Sequence, residues 1–182
     1  MNNLRGCRVY LAGAIEYSDN SYDWRTVLSN ELSRMGIISL DPHAKTFLNQ
    51  PVEEQGQNSL AKGLMREGKY EEAAHIMKQV VRKDLRCVDA ADFLIVNLET
   101  GVPSYGTPHE VAIASIQRKP ILFRINHKED MPLWFMGLIN HNFVFKTFDE
   151  IIFHLKTIDS SPIGELDAKY WKVFAPESLC LI

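Results

Sequence analysis

Apolar residues in this chain come in short dense runs, separated by stretches in which they recur every three or four positions. That alternation is the pattern of buried strands followed by amphipathic helices. Val9, Tyr10, Leu11 and Ala12 form the first run and Gly13 ends it, predicting a strand over 7–13. After a polar loop, Trp24, Val27, Leu28, Leu32 and Met35 mark one face of a helix over 22–35, with Ser21 as N-cap and Gly36 as its stop. A second strand is expected over 37–40, closed by Asp41 and Pro42. The pattern weakens over 43–68, where Gln, Asn, Gly and Pro interrupt few apolar residues, and this segment reads as an insertion or flexible lid. Helical spacing returns over 70–90, with Ala73, Ile76, Met77, Val80, Val81 and Val88 in one stripe. The clearest strand, 93–98, lies between Asp92 and Glu99.

A loop over 100–106 leads into a helix over 108–117 and a strand over 120–125. A short helical segment over 134–138, a strand over 143–145 and a helix over 148–158 capped by Thr147 follow. The tail from residue 160 carries Trp171 and Phe174, so it is expected to pack on the body. Strands apolar on both faces, alternating with helices, define an α/β fold. The expectation is a doubly wound, mostly parallel sheet of about five strands flanked by helices, flavodoxin-like or Rossmann-like. A chain of 182 residues suits one well-buried core, hence a single domain over 1–182.

Composition narrows the function classes. A hydrophobic fraction of 46%, a charged fraction of 24% and a net charge of -3 describe an ordinary soluble protein. Without a basic tract, a nucleic-acid polymer is not an expected partner. Cys7, Cys87 and Cys180 are odd in number, widely separated and lack ligand spacing, which argues against a disulfide framework or a metal site and fits a reducing cytosol. No apolar run follows Arg5, and none approaches the roughly 18 residues a membrane span needs, so the expected location is cytoplasmic.

Two carboxylates stand out. Asp84 continues the apolar stripe of the 70–90 helix, where a charge is costly unless it is paired or functional. A bend or rotation of the helix, with Asp84 paired to Arg82, Arg86 or a backbone donor, would also satisfy it. Glu110 completes the sequence Thr107-Pro108-His109-Glu110, which has the form of a capping box with Thr107 at N-cap. Yet that helix begins just after the clearest strand, where α/β sheets bind ligands, and its amides suit a phosphate or hydroxyl oxygen. Other groups carry less. His43 and His109 lack an obvious partner, Ser104 lacks a nucleophile elbow, and Lys78, Arg82, Lys83 and Arg86 read as a solvated face.

Four segments, in order, resemble the nucleoside 2-deoxyribosyltransferase superfamily, including its deoxynucleoside-monophosphate N-glycosidase branch. They are 9–15, Arg82-Lys83-Asp84-Leu85, 88–96, and 104–114 with its Ser-Tyr-Gly-Thr-Pro-His-Glu opening; they span about two thirds of the chain. The resemblance implies that Glu110 is the nucleophile, that Asp84 holds the sugar hydroxyls and the reacting carboxylate, and that Tyr10 is the first-strand tyrosine. It implies substrate contacts at Gly13, Ala14 and Ile15 and at Ser104, Gly106 and Thr107. A serine at position 104 resembles the monophosphate hydrolases, in which it meets a 5′-phosphate. Those enzymes have a serine and a nearby arginine after the first-strand glycine, whereas this chain has Ala14 and Glu16, and the family's glycines before the nucleophile are partly replaced by Pro108 and His109, so a free nucleoside stays open beside the monophosphate. Ile15-Glu16 with Asp23-Trp24-Arg25 resembles a less characterised branch of the same superfamily.

The implied chemistry is attack by Glu110 on the anomeric carbon, a covalent glycosyl-enzyme, and release to water or to a second base. No metal or redox cofactor is required. The expected partner is a small nucleoside or nucleotide, with Tyr17, Tyr22 or Trp24 available to stack on its base, and the resemblance implies a homo-oligomer. Rival readings are a relative of cytokinin-activating phosphoribohydrolases, a non-catalytic nucleotide-sensing module, and an interaction protein using the 171–174 tail.

Overall fold

A computed structural model describes residues 2–15, 23–42, 54–162 and 171. Five strands, β1 (Arg8–Gly13), β2 (Ile38–Leu40), β3 (Phe93–Asn97), β4 (Ile121–Arg124) and β5 (Val144–Phe145), form one sheet in the order β2-β1-β3-β4-β5. Every pairing is parallel. The helices are α1 (Asp23–Arg34), α2 (Glu54–Arg66), α3 (Tyr70–Ala90), α4 (Thr107–Ile116), α5 (Leu133–Met136) and α6 (Phe148–Ser160).

Alternation along the strands divides the core. Tyr10, Ala12, Leu94, Val96 and Phe123 face one layer, where they meet Cys87 and Val88 of α3, Val111 and Ala114 of α4, and Phe135 of α5. Val9, Leu11, Phe93, Ile95 and Leu122 face the other, against Leu28 and Leu32 of α1 and Ile151 and Leu155 of α6. Strands buried on both faces read as continuous apolar runs, which is why β3 was the clearest of them in the sequence. Trp171 is buried in the second layer with its ring centroid 5.5 Å from that of Phe93. The tail tryptophan is therefore a core residue and not a free docking side chain; Phe174 lies outside the described residues.

The segment read as an insertion or lid carries α2, which packs along α3 through the buried Ala61. Residues 43–53, His43 among them, lie outside the described residues, as does the Ser21 cap. Gly36 ends α1 with φ +74, the left-handed conformation that glycine adopts without steric penalty. The capping box expected at α4 does not form; at α6 Thr147 Oγ1 accepts from the Glu150 amide at 3.2 Å, and the Glu150 carboxylate reaches past the N-cap to the Lys146 amide at 2.7 Å. Helix α4 starts one residue earlier than expected, on Gly106, with no side-chain cap.

Neighbours β1 and β3 feed helices in opposite layers, α1 in one and α4 in the other. Their carboxyl ends are in register, Gly13 opposite Asn97. With α1 and α4 on opposite faces, these two strand ends mark the point where doubly wound sheets bind ligands, and a cavity is lined there by Gly13 and Ile15 together with residues 103–107.

Candidate active site

Glu110 lies in the first turn of α4 on the face shared by Thr107, Val111 and Ala114, the spacing that turns a helix position toward the sheet. Only 8% of its surface is exposed. Its carboxylate does not fold back onto the Thr107 amide. The first turn is closed by backbone bonds instead, with the His109 and Glu110 amides donating to the Gly106 carbonyl at 3.0 and 3.2 Å. Glu110 Oε1 accepts a 2.7 Å hydrogen bond from the Tyr10 hydroxyl. A tertiary donor thus replaces the local cap.

Burial pushes the Glu110 carboxyl up from its ordinary 4.5 to about 7. The Tyr10 hydrogen bond opposes that rise, the Asp84 charge adds to it, and Arg25 counteracts it. Asp84 is buried on α3 along the stripe of Ala73, Val80, Cys87 and Val88, as its spacing required. It lies within the continuous helix Tyr70–Ala90, in which Arg82 and Arg86 are exposed.

Asp84 and Glu110 both line a cavity of about 470 Å³ between α3, α4 and the carboxyl end of β1, a volume suited to a small ligand. Met77, Val80, Leu85 and Ile113 give it apolar walls, while Asn58 of α2, Ser104, Thr107 and His109 supply polar edges. Of the other residues singled out in the sequence, Gly13, Ile15 and Gly106 also line it. Tyr10 stands behind Glu110, and Ala14 is buried but is not a lining residue. The Ser104 hydroxyl donates to Thr107 Oγ1 at 2.7 Å, closing the loop before α4. His109 is exposed at the mouth, its Nδ1 2.8 Å from the Tyr105 carbonyl oxygen.

Gly13 is glycine for a steric reason: a Cβ there would sit 3.0 Å from the Asn97 carbonyl oxygen and 3.1 Å from Trp24. Trp24, a candidate for base stacking, stacks on Phe148 at 5.3 Å and belongs to the packing of the second layer. Tyr17 and Tyr22 lie outside the described residues. Cys7 is buried, which pushes its thiol up to about 11 and keeps it protonated. Among the described residues no group of His, Cys, Asp and Glu could hold a metal ion, and no helix is long and apolar enough to cross a membrane.

Sequence reasoning assigned no role to two buried polar residues. Asn97, at the end of β3, is buried and bridges Glu99 at 3.0 Å and Arg124 at 3.2 Å. Arg25, in α1, is fully buried and donates to the Leu11 and Gly13 carbonyls. Its signal was present: Arg25 falls three and seven residues before Leu28 and Leu32, on their apolar stripe.

Fold and cleft together define a doubly wound α/β protein with a cavity at its switch point, lined by two buried carboxylates. A family model described as nucleoside 2-deoxyribosyltransferase matches residues 9–151, and the chain belongs to that family. Among solved structures, a 2-deoxyribosyltransferase from the psychrotolerant bacterium Bacillus psychrosaccharolyticus is similar. The match has a TM-score of 0.57 at 17% identity over 80% of this chain and 90% of that one, a likeness of fold. A search of curated protein sequences finds no match.

Proposed function

We propose that the protein cleaves or transfers at the N-glycosidic bond of a (deoxy)nucleoside or nucleoside 5′-monophosphate, with Glu110 as nucleophile. The observation that carries this reading is Glu110 itself: a carboxylate drawn off its own helix end by Tyr10, at the wall of a cavity that also holds Asp84. Breaking the glycosidic bond builds oxocarbenium character at the anomeric carbon, and a carboxylate alongside stabilises and captures it. With Oε1 held by Tyr10, Oε2 attacks; the base leaves with the bonding electrons and an ester joins Glu110 to the sugar. Water then gives hydrolysis, and a second base gives transfer. Asp84 orients the sugar hydroxyls, and Gly13 lets the sugar approach the backbone. A side chain at the 5′ end meets Ser104 and Thr107, whether it is a hydroxyl or a phosphate. A homo-oligomer and a cytoplasmic location belong to the same reading.

The test is one chromatographic assay. A panel of nucleosides and monophosphates, with and without a free acceptor base, is incubated with the wild type and with Glu110→Gln and Glu110→Ala. Base release or exchange by the wild type is expected, with a loss on the order of 10³-fold or more in both variants. A glycosyl adduct on the peptide containing Glu110 should appear by mass spectrometry after rapid quenching. Undiminished turnover in Glu110→Ala overturns the assignment, and nucleoside binding without turnover in the wild type replaces the enzyme with a binding module.

A further inference from the structure

Arg25 presents a full positive charge with 0% exposure, a costly placement unless every part of the guanidinium is engaged. Its Nη2 donates to the Gly13 carbonyl at 2.9 Å and its Nε to the Leu11 carbonyl at 3.2 Å. Asp41 Oδ1, just beyond the end of β2, lies 3.8 Å from that Nε. The guanidinium carbon stands 4.4 Å from the centroid of the Trp24 ring, which stacks in turn on Phe148. One side chain of α1 therefore ties together the ends of β1 and β2 from the layer opposite Glu110. The planar fork explains why arginine occupies this place: it donates to two strand carbonyls from fixed directions while its charge lies beside a carboxylate, a geometry that a lysine ammonium does not reproduce.

We propose that Arg25 is a positioning residue for the reaction site, fixing the carboxyl end of β1 so that Gly13 holds its place at the cavity wall, with Asp41 as its counter-ion. The inference rests on the reading of Glu110 as the reacting group. Its electrostatic consequence follows from what faces Glu110: Tyr10 from β1, Asp84 from α3 and the Arg25 charge from α1, with His109 beside it on α4. Arg25 favours the ionised carboxylate across the sheet, and Asp41 offsets part of that charge.

The test uses Arg25→Lys, Arg25→Gln and Asp41→Asn in the full chain. Glu110 ionisation is followed by carboxyl ¹³C NMR, assigned by difference from Glu110→Gln, and kcat/KM is measured on the nucleoside that the wild type turns over best. Arg25→Gln should move the Glu110 midpoint up and Asp41→Asn should move it down. Arg25→Lys, which keeps the charge and loses the fork, should leave the midpoint in place while kcat/KM falls about tenfold or more. Opposite movement by the two neutralising variants is a result that general loosening of the fold does not produce. If Arg25→Gln does not fold, Asp41→Asn and Arg25→Lys decide the matter. A folded Arg25→Lys with wild-type kcat/KM, or an Asp41→Asn variant with an unmoved Glu110 midpoint, overturns the proposal. Turnover persisting in Glu110→Gln would overturn the nucleophile and leave the titration results standing, so the two failures are distinguishable.

Discussion

Tyr10 and Glu110, one hundred positions apart, meet in a 2.7 Å hydrogen bond that spans from β1 to the first turn of α4. The phenol donates, so it favours the carboxylate over the acid and holds down a group that burial has raised to about 7. A nucleophilic carboxylate must be ionised, so kcat/KM of the wild type should rise with pH through about 7. In Tyr10→Phe the restraint is gone. The acid limb should move to higher pH, with a loss of about tenfold at pH 7 that shrinks in more alkaline buffer. A pH profile of both proteins checks it, and an unchanged limb contradicts the role given to Tyr10.

The same burial sets a stability cost. Glu110 keeps its proton to about 7 when folded and to about 4.5 when unfolded, so between those values the native state binds the extra proton. Its contribution to stability is therefore fully present below pH 4.5, declines as pH rises and levels off above about 7. Glu110→Gln should be more stable than the wild type at pH 8, by on the order of 1–3 kcal/mol, and the gap should close toward pH 4.5. Urea denaturation at the two pH values measures it.

Asp84 acts on Glu110 with the opposite sign to Tyr10. Neutralising it in Asp84→Asn removes a repulsion, so the acid limb should shift to lower pH. The hold on the sugar should weaken as well, raising KM about tenfold, the worth of one charge-assisted hydrogen bond. Steady-state kinetics across pH separates the two effects, and an upward shift of the limb would contradict the placement.

Gly13→Ala tests the close approach of backbone at the cavity wall. The added methyl meets the Asn97 carbonyl at 3.0 Å and Trp24 at 3.1 Å, and the carbonyl belongs to a strand in register that cannot yield alone. A loss of about 1–3 kcal/mol is expected on unfolding, together with a raised KM.

Much of this was legible in the sequence because the strands are buried on both faces and the long helix α3 carries a clean stripe, so one periodicity determined each element. Asp84 could be picked out because it broke that stripe. Helix α2 was not legible: Gly56 and Gly63 interrupt it, Leu60 and Met65 are exposed, and its described residues bury little beyond Ala61, so tertiary contact with α3 and not its own pattern defines it. The α4 capping box misled for the converse reason. Local sequence satisfied every rule, and a hydroxyl from β1 out-competed the local amide for the carboxylate. Arg25 stood in the sequence only as part of Asp23-Trp24-Arg25, with no role of its own, because a charge on an apolar stripe becomes intelligible only when the strand carbonyls it serves, at Leu11 and Gly13, are placed beside it.

The packing of Trp24 against Gly13 gives the protein an optical use. The chain has three tryptophans, and their surroundings differ: Trp24 abuts the cavity wall, Trp134 is 78% exposed on α5 and Trp171 is sealed under the far face of the sheet. Indole emission shifts with the polarity around the ring. A nucleoside titration should therefore be read by Trp24, iodide quenching by Trp134, and loss of the folded state by Trp171, so that occupancy, accessibility and unfolding can be followed in one unlabelled sample.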